Sequence, residues 1–404
     1  MRISTRLAQD FGINAMLDQQ ARVSQTQLQL ATGKRLLTPA DDPTGAARIL
    51  ELEKAVAATE QYNVNANAAD SRLKLEETAL QSIMNAIHRT RELAVQGNNA
   101  VNNVESRRAI ADEVKQLLAQ MLETANTRDA NGEYLFSGYQ GLTRPFSRDS
   151  AGNFPYAGDD GQRFLQIAPD RQIAIGDSGT EVFRAIRNGN GTFTTMENPA
   201  NTGTGIISPG QVIGAFSPET FTISFTQPTP TDPVTYEVVG SVSGVVIPAG
   251  TLYQEDADLV FGGAQVSFKG TPADGDSFAV SPSMNQDLFT TVQNLAIALE
   301  SYGDSSTDGA HLGNAVNRFL VDIDQAVGNV LNVETRIGAR LNAIDNQRDI
   351  NESFVLHSKQ AMSEIQDLDY AEASSRLNLQ LLGLQAAQQS FIKIQGLSLF
   401  NFLR

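Results

Sequence analysis

Hydrophobic and polar positions follow two different rhythms along this chain. In residues 1–36 apolar side chains recur at steps of about three or four. Ile3, Leu7, Leu17, Ala21, Leu28 and Ala31 fall on one side, which predicts a helix. Residues 44–97 and 104–128 also read as long helices, with Ile49, Leu52, Val56, Leu73, Leu80, Ile83, Ile87 and Ala94 as apolar markers. Across 143–283 the rhythm becomes strand-like alternation. It appears in FTISF (221–225), where Phe221, Ile223 and Phe225 share a face, and again in AQVSF (264–268) and SFAV (277–280). The helical pattern resumes at about 285 and runs to the end. There Leu377, Leu384 and Phe391 stand seven apart, with Leu381, Ala387 and Ile394 between them, as in a coiled-coil seam.

Proline placement supports this division. Of 14 prolines, only Pro39 and Pro43 precede residue 145, and none follows Pro282. Proline breaks a helix interior, so the two proline-free stretches can hold long helices and the middle cannot. The first helix should stop at GKRLLTPADDPTGAA: Gly33 suits a left-handed C-terminal position, and Asp41 or Thr44 can cap the next start. The expected fold class is α+β. N- and C-terminal regions form a long antiparallel coiled-coil rod, and a central β-rich domain is inserted between them. The expected divisions are a terminal helix at 1–40, half of the rod at 41–142, a surface-exposed β domain at 143–284, the other half at 285–368 and a C-terminal helix at 369–404.

The chain closes with QQSFIKIQGLSLFNFLR, its most apolar segment, although chain ends are usually polar and frayed. Two readings account for it: a helix docked within the chain, or a segment that orders only when subunits polymerise. On the second, 1–40 and 369–404 are disordered in the monomer and coiled in the assembly. The expected assembly residues are Ile3, Leu7, Leu17, Leu28, Leu377, Leu381, Leu384, Phe391, Ile394, Leu397, Phe400 and Leu403.

Charge and candidate chemistry narrow the function. A formal net charge of −16 argues against nucleic acid as a partner. There is no cysteine, so disulfides play no part, and no stretch is long and apolar enough to span a membrane. The N-terminus lacks the apolar core of a signal peptide. His88, His311 and His357 sit on separate segments, without a second His at zinc-ligand spacing. DSSTDG (304–309) imitates the start of a calcium loop, but Ala315 stands where a bidentate Glu is needed, and a capped turn is the plainer reading. AGDDG (157–161) reads as a solvated turn. Lys34, Arg35 and Arg48 flank Asp41 and Asp42, which suits salt bridges better than an anion site. No nucleophile elbow, Walker loop or dinucleotide loop is present. Neither catalytic residue, cofactor nor metal is assigned, and the chain is read as no enzyme.

LQLATGKRLLTPADDPTGAA (28–47) resembles the N-terminal motif of the bacterial flagellin family. The stretch from IQDLDYAEASSRLNLQ to the end resembles its C-terminal motif, and NGEYLFSGY (131–139) a signature closing the N-terminal helical half. Within that family the MRIST start, the IQGLSLFNFLR end and AQVSFKGTPADGDSFAVSPS (264–283) are similar to hook-associated proteins of the hook–filament junction. The resemblance implies a structural adaptor of the flagellum, exported by the flagellar type III channel without a cleaved signal and located outside the cell. It implies a homo-oligomeric ring, with the first hook-associated junction protein on one side and flagellin on the other. A cytoplasmic export chaperone would cover the C-terminal helix before export. The alternatives are a flagellin filament subunit and, from another class, a secreted adhesin or enzyme acting through the β domain.

Overall fold

The computed structural model describes residues 5–396. Six long α-helices frame a central β-rich stretch: α1 Thr5–Thr32, α2 Pro43–Gly97, α3 Val104–Ala125, α4 Leu288–Ser301, α5 Ser306–Gln366 and α6 Tyr370–Gly396. The fold is α+β, with strands falling between Phe164 and Gln286. Each helix boundary has a local cause. Gly33 ends α1 at φ +70, and a Cβ there would lie 2.8 Å from the Tyr370 hydroxyl. Asp42, rather than Asp41 or Thr44, caps α2: its carboxylate accepts from Gly45 N at 2.9 Å, with Pro43 in the first helical position. Asn103 caps α3 through Ser106 N at 2.8 Å. The C-terminal helical stretch is divided, not continuous. Ser305 and Asp308 form a capping box that starts α5, so DSSTDG is a capped turn. Asp369 caps α6 through Ala371 N at 2.9 Å.

The chain forms two compact units, and both α2 and α5 run through each. One takes in the chain up to Val64 and from Asn346 onward; the other is Asn65–Asp345. In the first unit, Asn351 of α5 donates to Asn63 of α2 at 3.0 Å, and Lys359 pairs with Glu60 at 2.9 Å.

The second unit has two apolar cores. The helical core joins Leu73, Leu80, Ile83, Val114, Met121, Leu295, Ile323, Val330 and Ile337, which are all buried. It also takes in Phe146, Phe154, Ile167, Ile173, Phe183 and Ile186, from the stretch after residue 143. There Phe183 packs edge-on against Phe136 and Phe146, with ring centroids 5.0 and 5.5 Å apart. The separate β core begins at Phe193 and gathers Phe221, Ile223, Phe225, Val238, Phe261, Phe268 and Phe278. Its main sheet is antiparallel, with strands in the order Phe193–Glu197, Ser277–Pro282, Phe221–Thr226, Thr235–Gly240 and Gly244–Leu252. Phe221, Ile223 and Phe225 alternate inward as the sequence pattern requires. Phe193 pairs with Pro282, so the two ends of this insertion leave side by side. Pro248 sits in the edge strand Gly244–Leu252, where no further partner asks for its missing N–H.

Buried polar side chains pin the β core to α5. Asn314 donates to Glu197 at 2.6 Å and to Gly205 O at 3.0 Å, and accepts from Ile207 N at 2.9 Å. His311 Nδ1 lies 3.1 Å from Glu197, and its ring stacks on Tyr302 at 5.3 Å. Burial raises the Glu197 carboxyl above its ordinary value, against the opposing pull of His311 and Asn314. Asp322 accepts from Gly189 N at 2.6 Å. Replacing Asn314 by Ala strands Ile207 N and Gly205 O and leaves Glu197 with His311 alone. We expect a loss of about 2–4 kcal/mol, read as a lower denaturant midpoint with m unchanged.

Candidate assembly surface

Helices α1 and α6 pack antiparallel. Gly12 faces Phe391 so closely that a Cβ would meet the ring at 3.1 Å. Further along, Gln19 donates to Gln380 O at 3.0 Å, and a Cβ on Gly383 would meet Gln19 at 3.1 Å. At the far end the connections after α1 and before α6 run together. Leu368 N donates to Gly33 O at 3.0 Å, Arg35 N to Gln366 O at 2.7 Å, and the Arg35 guanidinium to Ile365 O at 2.6 Å. Lys34 and Asp367 form an antiparallel bridge. The two motifs LQLATGKRLLTPADDPTGAA and IQDLDYAEA are thus two halves of one joint.

The acids of this joint serve the backbone. Asp41 accepts from Thr38 N at 2.9 Å and Leu37 N at 3.0 Å, and these bonds, Thr38 first, hold its carboxyl below the ordinary value. Arg48 pairs with Glu51 at 3.1 Å on the α2 surface, and Arg35 uses a carbonyl rather than an acid.

Burial on each helix defines the seam. Among the described residues a covered row runs along α1 through Gly12, Met16, Gln19, Val23, Thr26 and Leu30, with Gln29 beside it, and along α6 through Ala373, Leu377, Gln380, Leu384, Ala387 and Phe391, with Arg376 beside it. Both sets step by three and four residues, as heptads do. Leu377, Leu384 and Phe391 therefore lie in the seam, half-buried against α1. Gln380 fills the place between the first two, and Leu381, expected there, is turned outward.

The period of 3.6 puts Leu7, Leu17, Ala21 and Leu28 on the side of α1 opposite its seam. Leu17 is 58% exposed, Leu28 53% and Leu7 49%. The apolar side found in the sequence is a real side of the helix, but it faces away from α6. Phe11 and Ile13 on α1, and Leu379, Leu382 and Ile392 on α6, are exposed as well. These five are absent from the expected set; their large side chains at helical spacing, beside a second apolar row, were the available signal. Leu379 and Leu382 are 68% and 63% exposed and lie behind the α6 seam. Ile394 belongs to α6; its side chain, and Ile3, Leu397, Phe400 and Leu403, lie outside the described residues. The helix pair therefore holds a narrow inner seam and leaves large apolar side chains uncovered on its outer faces. A surface of this kind binds other apolar helices.

Residues 3–141 match the family model of the bacterial flagellin N-terminal helical region. The crystal structure of flagellar hook associated protein-3 from Legionella pneumophila is 36% identical, with a TM-score of 0.75. The match covers 78% of this chain and 98% of that one. Flagellar hook-associated protein 3 of Escherichia coli is 24% identical over 99% of each chain. Flagellin of Clostridium tyrobutyricum is 32% identical, but over only 28% of this chain and 30% of its own.

Substitution separates seam from outer face. Leu17→Asp with Leu28→Asp should leave the isolated chain within about 1 kcal/mol of wild-type stability and abolish self-association in sedimentation. Val23→Asp places a carboxylate in the buried seam and should speed amide exchange along both α1 and α6 in the assembled protein, where the wild-type helices are protected.

Proposed function

This chain belongs to the flagellar hook-associated protein 3 family, and we propose that it is a structural subunit at the junction of hook and flagellin filament, without enzymatic activity. The observation that carries this reading is a match to flagellar hook-associated protein 3 over 99% of both chains, combined with terminal helices whose outer faces are apolar and open. The flagellin of Clostridium tyrobutyricum matches over only 28% of this chain, whereas hook associated protein-3 matches over 78%, so the filament-subunit alternative is set aside.

In the proposed joint, copies of the α1–α6 pair pack through Leu7, Leu17, Leu28, Leu379 and Leu382 into a ring. The terminal segments 1–40 and 369–404 gain their order from those neighbours. On one side the ring meets the first hook-associated junction protein, on the other flagellin. Export runs through the flagellar type III channel, and a cytoplasmic chaperone shields the C-terminal apolar helix beforehand. Large exposed apolar surface on a solitary subunit is an aggregation hazard, which is the physical reason for such a chaperone.

Electron microscopy of a deletion strain tests the reading. Hooks should carry no filaments, with flagellin lost to the medium, and the wild-type gene should restore them. Filaments growing on hooks in that strain would overturn it. Phe391→Asp with Leu397→Asp should fail to complement, while the purified variant keeps the melting curve of the Asn65–Asp345 unit. In a dilute monomer the amides of α1 and α6 should exchange fast and become protected on assembly.

A further inference from the structure

Within the Asn65–Asp345 unit a set of charged side chains joins α2, α5, the 127–139 loop and the stretch ahead of Glu181. Arg340 makes a bidentate contact with Asp177, at 2.9 and 2.8 Å, and the Asp177 side chain has no exposed surface. Arg72 pairs with Asp129 and donates to Tyr134 O at 3.2 Å. Arg163 pairs with Glu133, and Arg336 with Glu181 at 2.6 Å. Each of the four arginines thus has an acid of its own. Arg336 also approaches Asp177 at 3.8 Å, and Arg72 approaches Glu133 at 3.6 Å.

Glu76 is the acid left over. It is fully buried on α2. Its Oε1 accepts from Asp177 N at 3.1 Å, while its Oε2 has no hydrogen-bond partner. The cations that face it, Arg340 and Arg72, are both committed to other carboxylates. An ionised Glu76 would be a second buried negative charge beside Asp177 with no counter-ion of its own, an arrangement that strongly favours the neutral form.

We propose that Glu76 is a proton-binding site, so that folding of this unit takes up one proton at neutral pH and the folded unit loosens as the medium turns alkaline. Burial first, and the Asp177 charge second, push this carboxyl well above its ordinary value of 4.5; the Asp177 N–H, Arg340 and Arg72 pull the other way and are outweighed. The sign follows from linkage. The unfolded chain releases the proton near 4.5 and the folded chain holds it to higher pH. The stabilisation is therefore complete below the unfolded value and is lost as pH rises towards the folded one. Over that window one proton of difference lowers the folding constant tenfold per pH unit, about 1.4 kcal/mol. Glu76 ties α2 to the backbone of Asp177, so its ionisation would strain the contact between that helix and the segment leading into Phe183.

The test is refolding of the full chain from urea at pH 7 in weakly buffered solution with a pH indicator. Wild type should take up about one proton more than Glu76→Gln, in which an amide replaces the neutral acid. The stability of Glu76→Gln should also fall less steeply with pH above neutrality. Equal uptake by the two chains would overturn the proposal. If Glu76→Gln does not fold, the infrared carbonyl band of a protonated carboxyl decides instead. It is recorded at pH 7 on a folded Glu197→Gln, Asp322→Asn, Glu334→Gln chain, which lacks the other carboxyls raised by burial. A remaining band supports a protonated Glu76, and its absence rejects it.

Discussion

The hydrogen bonds between Gly33 and Leu368 and between Arg35 and Gln366 hold the two ends of this chain together. Arg35 and Ile365, joined by a side-chain bond at the same place, are 330 residues apart. Segments this far apart in sequence meet only when both are present, so the α1–α6 pair depends on both ends at once. The requirements at the joint are narrow. Gly33 supplies a positive φ, its missing Cβ leaves room for the Tyr370 hydroxyl, and Asp41 and Asp42 occupy the amides that the turn would otherwise leave bare.

From that joint the paired helices run with small and polar residues inward beside Met16, Val23, Leu377 and Leu384. Gly12, Thr26, Gln19 and Ala373 let the backbones approach, while Leu17, Leu28, Leu379 and Leu382 remain outside. Covering each leucine would be worth about 1.5–3 kcal/mol, a gain that the proposed packing between subunits would supply.

The Asn65–Asp345 unit is organised differently. Its helical core takes in apolar residues from 146 to 186, so the chain between α3 and α4 contributes to helix packing before it forms an independent sheet. Buried polar side chains then set the register between the two cores: Asn314 against Gly205 and Ile207, and Asp322 against Gly189. The NGEYLFSGY signature belongs to the same scheme, with Tyr134 O held by Arg72 and Phe136 packed on Phe183.

Much of this was present in the sequence by itself. Proline placement and the step of three to four marked the long helices to within a few residues at most ends. Gly33 marked the first stop, and FTISF alternated as read, because these features rest on local backbone chemistry. The sequence also located a true apolar side of α1. Only the tertiary structure decided that this side faces outward, that the seam runs through Gly12, Gln19 and Thr26, and that Gln380 rather than Leu381 meets α1. Periodicity finds the largest apolar side chains, whereas close helix packing selects residues for what they leave out. Glu76 and Asp177 stand 101 residues apart, and no spacing could pair them. Which charges lose their solvent, and which arginine each acid keeps, is settled only when distant segments fold onto one another.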